Sequence, residues 1–142
     1  MIRRRSFSYA ILAAAVLTSA APTWAQADKP HKLVIQVSDA DPGKWNLALN
    51  NARNVMSDLG SDKVAVEIVA YGPGIGMLKM DSTAGSRVAE ALGKGVQVVA
   101  CENTMRAMKL GRDDMLSSID YVPAGVVRIM SRQTQGYSYV RP

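Results

Sequence analysis

Three short apolar runs constrain this chain more than any other feature. Each is followed by a turn-forming cluster and then by a stretch of helical period. The first is Lys32 to Val37, followed by the turn formers Ser38-Asp39-Ala40-Asp41-Pro42-Gly43. Trp45, Ala48, Leu49, Ala52, Val55, Met56 and Leu59 then recur at helical spacing, and Gly60 is the expected cap. The second run, Val64 to Tyr71, leads into the loop Gly72-Pro73-Gly74-Ile75-Gly76, one helical turn at Met77 to Met80, and a helix from about Ser86 to Leu92 ended by Gly93. The third run, Gly95 to Cys101, is apolar nearly throughout, as expected of a strand buried on both faces. Asn103 or Thr104 can cap a helix through Met105, Met108 and Leu110, and Arg112 to Ile119 holds a further turn. An extended piece at Tyr121-Val122-Pro123, a helix with Val126, Val127, Ile129 and Met130 on one apolar face, and a last strand at Tyr137 to Val140 complete the chain. Strands alternating with helices require crossover connections. The expected fold is therefore an α/β, three-layer α/β/α sandwich with a mostly parallel sheet.

The amino-terminal segment has a different character. Arg3, Arg4 and Arg5 precede an apolar stretch from Phe7 through Ala21, followed by the small-residue patterns Thr23-Trp24-Ala25 and Ala25-Gln26-Ala27. This is the layout of a cleavable secretory signal, expected over residues 1–27 with cleavage after Ala25 or Ala27. The apolar run falls short of the roughly 20 residues a spanning helix needs, so no stable membrane insertion is expected after cleavage. Arg4-Arg5-Ser6-Phe7 also resembles part of a twin-arginine motif. An ordinary positive region accounts for the cluster equally well, and the general secretory route to the periplasm is the expectation.

Removal of this segment weakens the argument from charge. The chain has 17 Lys and Arg against 12 Asp and Glu; losing Arg3, Arg4 and Arg5 leaves 14 against 12. The remaining cations are interspersed with acids, without the clustered basic face or motif that nucleic-acid binding requires. About 115 residues remain, enough for one ordinary domain. Cys101 is the single cysteine, so no intramolecular disulfide can brace it.

Four segments in order carry a family resemblance. They are Lys32-Leu33-Val34-Ile35-Gln36-Val37, Val69-Ala70-Tyr71-Gly72-Pro73-Gly74, Gly95-Val96-Gln97-Val98-Val99-Ala100-Cys101-Glu102-Asn103-Thr104-Met105, and Pro123-Ala124-Gly125-Val126-Val127 with Gln133-x-x-Gly136-Tyr137. Together they resemble the DsrE/DsrF-like family of small sulfur-relay-type α/β proteins, here as an exported member with its domain over residues 28–142. The resemblance implies a sheet of five parallel strands and assembly into a homotrimer or homohexamer. It also implies that a cysteine in the position of Cys101 carries sulfur as a persulfide.

Read from its residues, Cys101 ends a parallel strand, where open α/β sheets place their ligand sites, and precedes a helix whose amide groups favour a thiolate. Glu102 works against that thiolate, while Arg106, Lys109 and Arg112 could attract an anionic donor. Asp39, Gly72, Gly74, Asn103 and Thr104 are the candidate ligand-contacting residues on the same edge. The glycines would offer backbone N–H groups to an anion, although they fit no phosphate-loop pattern. Turn and cap duty is the commoner use of Asp39 and Asp41 beside Pro and Gly. Trp45 packs in the core or walls a pocket over Cys101, and His31 is expected in solvent. Met77, Met80, Met105, Met108 and Met130 are expected in the core or a subunit interface. No metal site or cofactor is indicated. A dithiol redox function lacks its second cysteine.

Two functions follow as expectations. The first is a protein that binds or relays sulfane sulfur through a Cys101 persulfide, a carrier rather than a turnover enzyme, with a donor or acceptor protein as partner. The alternative is a non-catalytic module that binds a small ligand or assembles as an oligomer, with Cys101 structural.

Overall fold

A computed structural model describes residues 29–142. The export signal expected over residues 1–27 lies outside the described residues. The elements run β1 (His31–Val37), α1 (Pro42–Leu59), β2 (Val64–Ala70), a 3-10 turn (Gly72–Leu78), α2 (Gly85–Gly93), β3 (Gln97–Cys101), α3 (Glu102–Ala107), a second 3-10 turn (Arg112–Asp114), β4 (Asp120–Val122), α4 (Gly125–Thr134) and β5 (Ser138–Val140). The five strands form one sheet in the order β4-β3-β2-β1-β5, and every neighbouring pair is parallel. The expected α/β architecture is therefore the observed one.

The strand order dictates how the helices divide between the faces. From β1 to β4 the chain steps along the sheet in one direction, and right-handed crossovers made in one direction put their helices on one side. The connection from β4 to β5 runs back across the sheet, so its helix lies on the other side. The side chains obey this division. Leu33, Ile35, Val66, Ile68 and Val98 point to a large core shared with Trp45, Leu49 and Met56 of α1, Val88 of α2 and Met105 of α3. Val34, Val69 and Val99 point the opposite way and meet Ile129 of α4, flanked by Tyr71, Val122 and Tyr137. The second layer is thus a single ten-residue helix.

Several local details differ from expectation. Asp41 caps α1 by accepting from Gly43 N at 2.7 Å, so the helix starts at Pro42, whose fixed φ suits a first turn. Gly60 does close α1, with φ +91°. α2 does end at Gly93, the left-handed residue that follows is Gly95 at φ +88°, and β3 begins at Gln97 rather than Gly95. The glycine loop after β2 is itself a 3-10 turn. Neither Asn103 nor Thr104 caps α3: the chain passes straight from strand to helix with Cys101 in the cap position. That helix ends at Ala107 instead of continuing to Leu110, because Lys109 takes φ +56°. On α4 only Ile129 of the expected apolar face is buried; Val126, Val127 and Met130 are exposed. Met77 and Met105 are core residues, whereas Met80 and Met108 are exposed.

Candidate functional site

β3 delivers Cys101 to the carboxyl edge of the sheet on the same face as Val99, two residues earlier, and therefore toward α4. Beside it, β4 ends at Val122, the register partner of Cys101. The connection leaving β3 goes to the first face and the one leaving β4 goes to the second. Diverging connections open a crevice between neighbouring strand ends, the position where open α/β sheets bind ligands. Cys101 occupies it.

Four groups lie around the sulfur. The Gly125 amide, first in α4, donates to Cys101 Sγ at 3.3 Å. The Thr104 hydroxyl and amide also act on the thiol, and the Asn103 amide lies beside it but donates to Pro123 O at 3.1 Å. Thr104 Oγ1 accepts the Gly72 N–H at 2.9 Å, which leaves its own proton for the sulfur. The thiol itself reaches weakly toward Pro123 O, at 3.9 Å. Burial, with Cys101 only 5% exposed, raises the thiol pKa, but the Thr104 hydroxyl and the nearby amides of Gly125, Thr104 and Asn103 outweigh it and bring the pKa below its ordinary 9.0.

The surroundings divide into polar and charged parts. Gly125 sits where an added Cβ would come within 3.0 Å of the Tyr71 side chain, so Tyr71 packs against the start of α4 beside the thiol. Burial raises the Tyr71 pKa, the proximity of Tyr139 adds to that, and Arg141 and a bond to Gln36 oppose it. Tyr139 in turn donates to Gln36 Oε1 at 2.6 Å, and Gln36 Nε2 donates to Ser38 Oγ at 2.9 Å. Glu102 is turned onto Arg112 at 3.1 Å, and that guanidinium lies 4.3 Å from the Tyr121 ring centre. The carboxylate expected to oppose a thiolate thus has its own counter-ion. Arg106 bonds Asn103 Oδ1, which leaves that side chain committed.

The other candidate residues are distributed less favourably. Gly72 N is spent on Thr104 and Gly74 N on Tyr71 O at 3.1 Å, so neither amide is open to an anion. Gly74 is glycine for steric reasons: a Cβ there would lie 2.2 Å from Val37 O. Asp39 lies two residues past the end of β1, a strand that is two spacings or about 10 Å across the sheet from β3. It pairs with Lys44 and Arg141, each at 3.4 Å. Partial desolvation works against its ionisation, but Arg141 and Lys44 prevail and lower its pKa. Trp45 belongs to the opposite core, its indole N–H held by Asp39 O at 2.7 Å, and does not wall the Cys101 crevice. His31 is exposed at the other end of β1. Thr104 and Asn103 are thus the two candidates gathered at Cys101.

Sequence reasoning missed Tyr71, Gly125 and Glu67. A charge within the apolar run Val64 to Tyr71 was the available signal, since a buried carboxylate requires cations, and Arg128 and Arg132 recur one helical turn apart. Other concavities, such as one between α1 and α2 lined by Leu49, Arg53, Met56 and Arg87, do not include Cys101. Among the described residues no three His, Cys, Asp or Glu side chains cluster as a metal site, and no helix is long and apolar enough to cross a membrane.

The chain is similar to the structure of MTH1491, a protein of unknown function from Methanobacterium thermoautotrophicum, with 39% identity and a TM-score of 0.75 over 79% of this chain and 99% of that one. It also resembles BT1422, a conserved protein of unknown function from Bacteroides thetaiotaomicron, with 16% identity and a TM-score of 0.63 over 78% of this chain and 94% of that one; this second likeness concerns the fold alone. No family model and no curated protein matches the chain.

Proposed function

The chain belongs to the same family as the Methanobacterium protein of unknown function, and from the chemistry of its site we propose that it binds or relays sulfane sulfur as a persulfide on Cys101. The observation that carries this reading is the Gly125 amide donating to the Cys101 thiol at 3.3 Å, with Thr104 beside it, at the strand ends where the β3 and β4 connections diverge. The thiolate is the nucleophile of sulfur chemistry, and hydrogen bonds to it raise its population near neutrality. In the proposed step Cys101 S⁻ attacks the terminal sulfur of a donor persulfide or polysulfide. One S–S bond forms and one breaks, the shortened donor leaves as its thiolate or polysulfide anion, and no net oxidation occurs. The product Cys101–S–S⁻ has its new charge near the amides that favoured the thiolate. Transfer to an acceptor thiolate is the same exchange in reverse, so a second cysteine is not needed.

The resemblance to DsrE/DsrF-like proteins is part of this proposal. So is export to the periplasm, which rests on the residue pattern over 1–27. Assembly into a homotrimer or homohexamer is proposed on the same resemblance, and the exposed Val126, Val127 and Met130 on α4 support it, since such a face in water favours association. The near-complete burial of Cys101 favours a second reading, an assembly or ligand-binding module with a structural cysteine. Intact-mass analysis after exposure to polysulfide separates the two. Gain of sulfur by the wild type and none by Cys101→Ser is the expected result. A folded protein whose Cys101 resists small alkylating reagents would exclude the carrier.

A further inference from the structure

Glu67 is, among the described residues, the one charged side chain with no exposure at all. It lies on β2 with its side chain on the face of Val69 and Tyr71, beneath α4. Arg128 Nε donates to Glu67 Oε1 at 2.6 Å, and Arg128 Nη2 and Arg132 Nε donate to Oε2 at 3.2 and 2.5 Å. The two arginines stand four residues apart and so share one side of the helix. Arg132 is steadied further by Gln97 Oε1 at 3.1 Å and by the Tyr137 ring, 4.9 Å from its guanidinium carbon.

These bonds attach a helix that has little else to attach it. Ile129 is the one buried large apolar side chain of α4. An apolar anchor tolerates sliding and rotation, whereas a bidentate carboxylate–guanidinium pair has a fixed geometry. The first residue of the same helix, Gly125, supplies the amide at Cys101 Sγ. A helix rises about 1.5 Å per residue, so the clamp begins within about 5 Å of that amide along the axis. A rotation or slip of α4 at the clamp therefore moves the amide away from the sulfur.

We propose that Glu67 is a positioning residue: its bonds to Arg128 and Arg132 hold α4 in the register that sets the Gly125 amide on Cys101. The inference rests on the reading of Cys101 as a reactive thiol. Replacing the clamp by packing alone would attach the helix without fixing where its amino terminus points. The thiol's titratable and charged neighbours are Tyr71 from β2 and Glu102 with its partner Arg112, and the interactions given for them involve none of the clamp residues.

The test is the pH dependence of Cys101 alkylation by iodoacetamide in the folded protein, compared between wild type, Glu67→Gln and Arg132→Gln. Loss of one favourable amide at a helix start corresponds to a rate about three- to tenfold lower on the acid side, with the midpoint moved upward. Arg132→Gln keeps the Arg128 pair and gives a smaller change of the same sign; it decides the matter if Glu67→Gln does not fold. A folded variant with the wild-type pH profile overturns the proposal, since a merely structural role would change melting and leave the profile alone. Polysulfide uptake followed by mass in the same proteins separates the two readings. A shifted profile without uptake by the wild type rejects the carrier and keeps the clamp, and uptake with an unshifted profile does the reverse.

Discussion

Thr104→Val removes one hydroxyl and nearly preserves the shape of the side chain, so its effects can be assigned to two interactions. The first is the 2.9 Å bond from Gly72 N. Without it the amide is left unpaired in a half-buried turn, where an orphaned donor costs about 1–3 kcal/mol. Water reaches part of this turn, which puts the expected loss near the lower end, about 1 kcal/mol. The second is the interaction of the hydroxyl with Cys101 Sγ, which helps to hold the thiol below its ordinary value. Its loss moves the folded thiol pKa upward. The sign of the linked stability follows. With a folded pKa below the unfolded one, the thiolate interactions add nothing while the thiol is neutral in both states. Their contribution grows as pH rises through the folded midpoint and is complete above the ordinary thiol value of 9.0. Urea unfolding at about pH 6 should therefore report only the orphaned amide, and at about pH 10 a larger difference between wild type and variant. Alkylation kinetics across the same range should show the midpoint displaced upward. An unchanged midpoint, or an identical stability difference at both pH values, would refute the assignment of the Thr104 proton to the sulfur.

The remaining predictions concern backbone and surface. Gly74→Ala should destabilise the fold by about 3 kcal/mol, at the upper end of overpacking, because its Cβ would meet the main chain of Val37 and Ser38. Gly93→Ala meets nothing within 4 Å and should be neutral or stabilising by up to about 1 kcal/mol, which chemical denaturation of both variants will check. Val127→Asp with Met130→Asp should lower the mass found by sedimentation while leaving the helical circular dichroism intact; an unchanged assembly would remove α4 from the interface.

Much of the fold was legible because its signals are local. The β-branched runs at Leu33, Val66 and Val98 and the helical spacing from Trp45 to Leu59 each concern residues within a few positions of one another. A parallel sheet follows from their alternation. The place of Cys101 at a strand end before a helix was legible for the same reason. Its cap was not, because Asn103 and Thr104 look like capping residues until the strand is seen to run directly into α3. The roles of Gly72 and Gly74 were also read too generously, since spacing cannot say whether an amide is already bonded within its own turn.

By itself, then, the sequence determined the elements, their parallel arrangement and the strand-end position of the thiol. Only the tertiary structure decided which residues meet that thiol. The strand order β4-β3-β2-β1-β5 sends α4 alone to the second face, and this brings Gly125 to a sulfur 24 residues earlier and Arg128 and Arg132 to Glu67 across 61 and 65 residues. It also leaves Val126, Val127 and Met130 in solvent, although their periodicity equals that of a core helix. Periodicity records that a helix has an apolar side. What that side meets depends on the order in which strands pair, and that order is settled by contacts between residues distant in the chain.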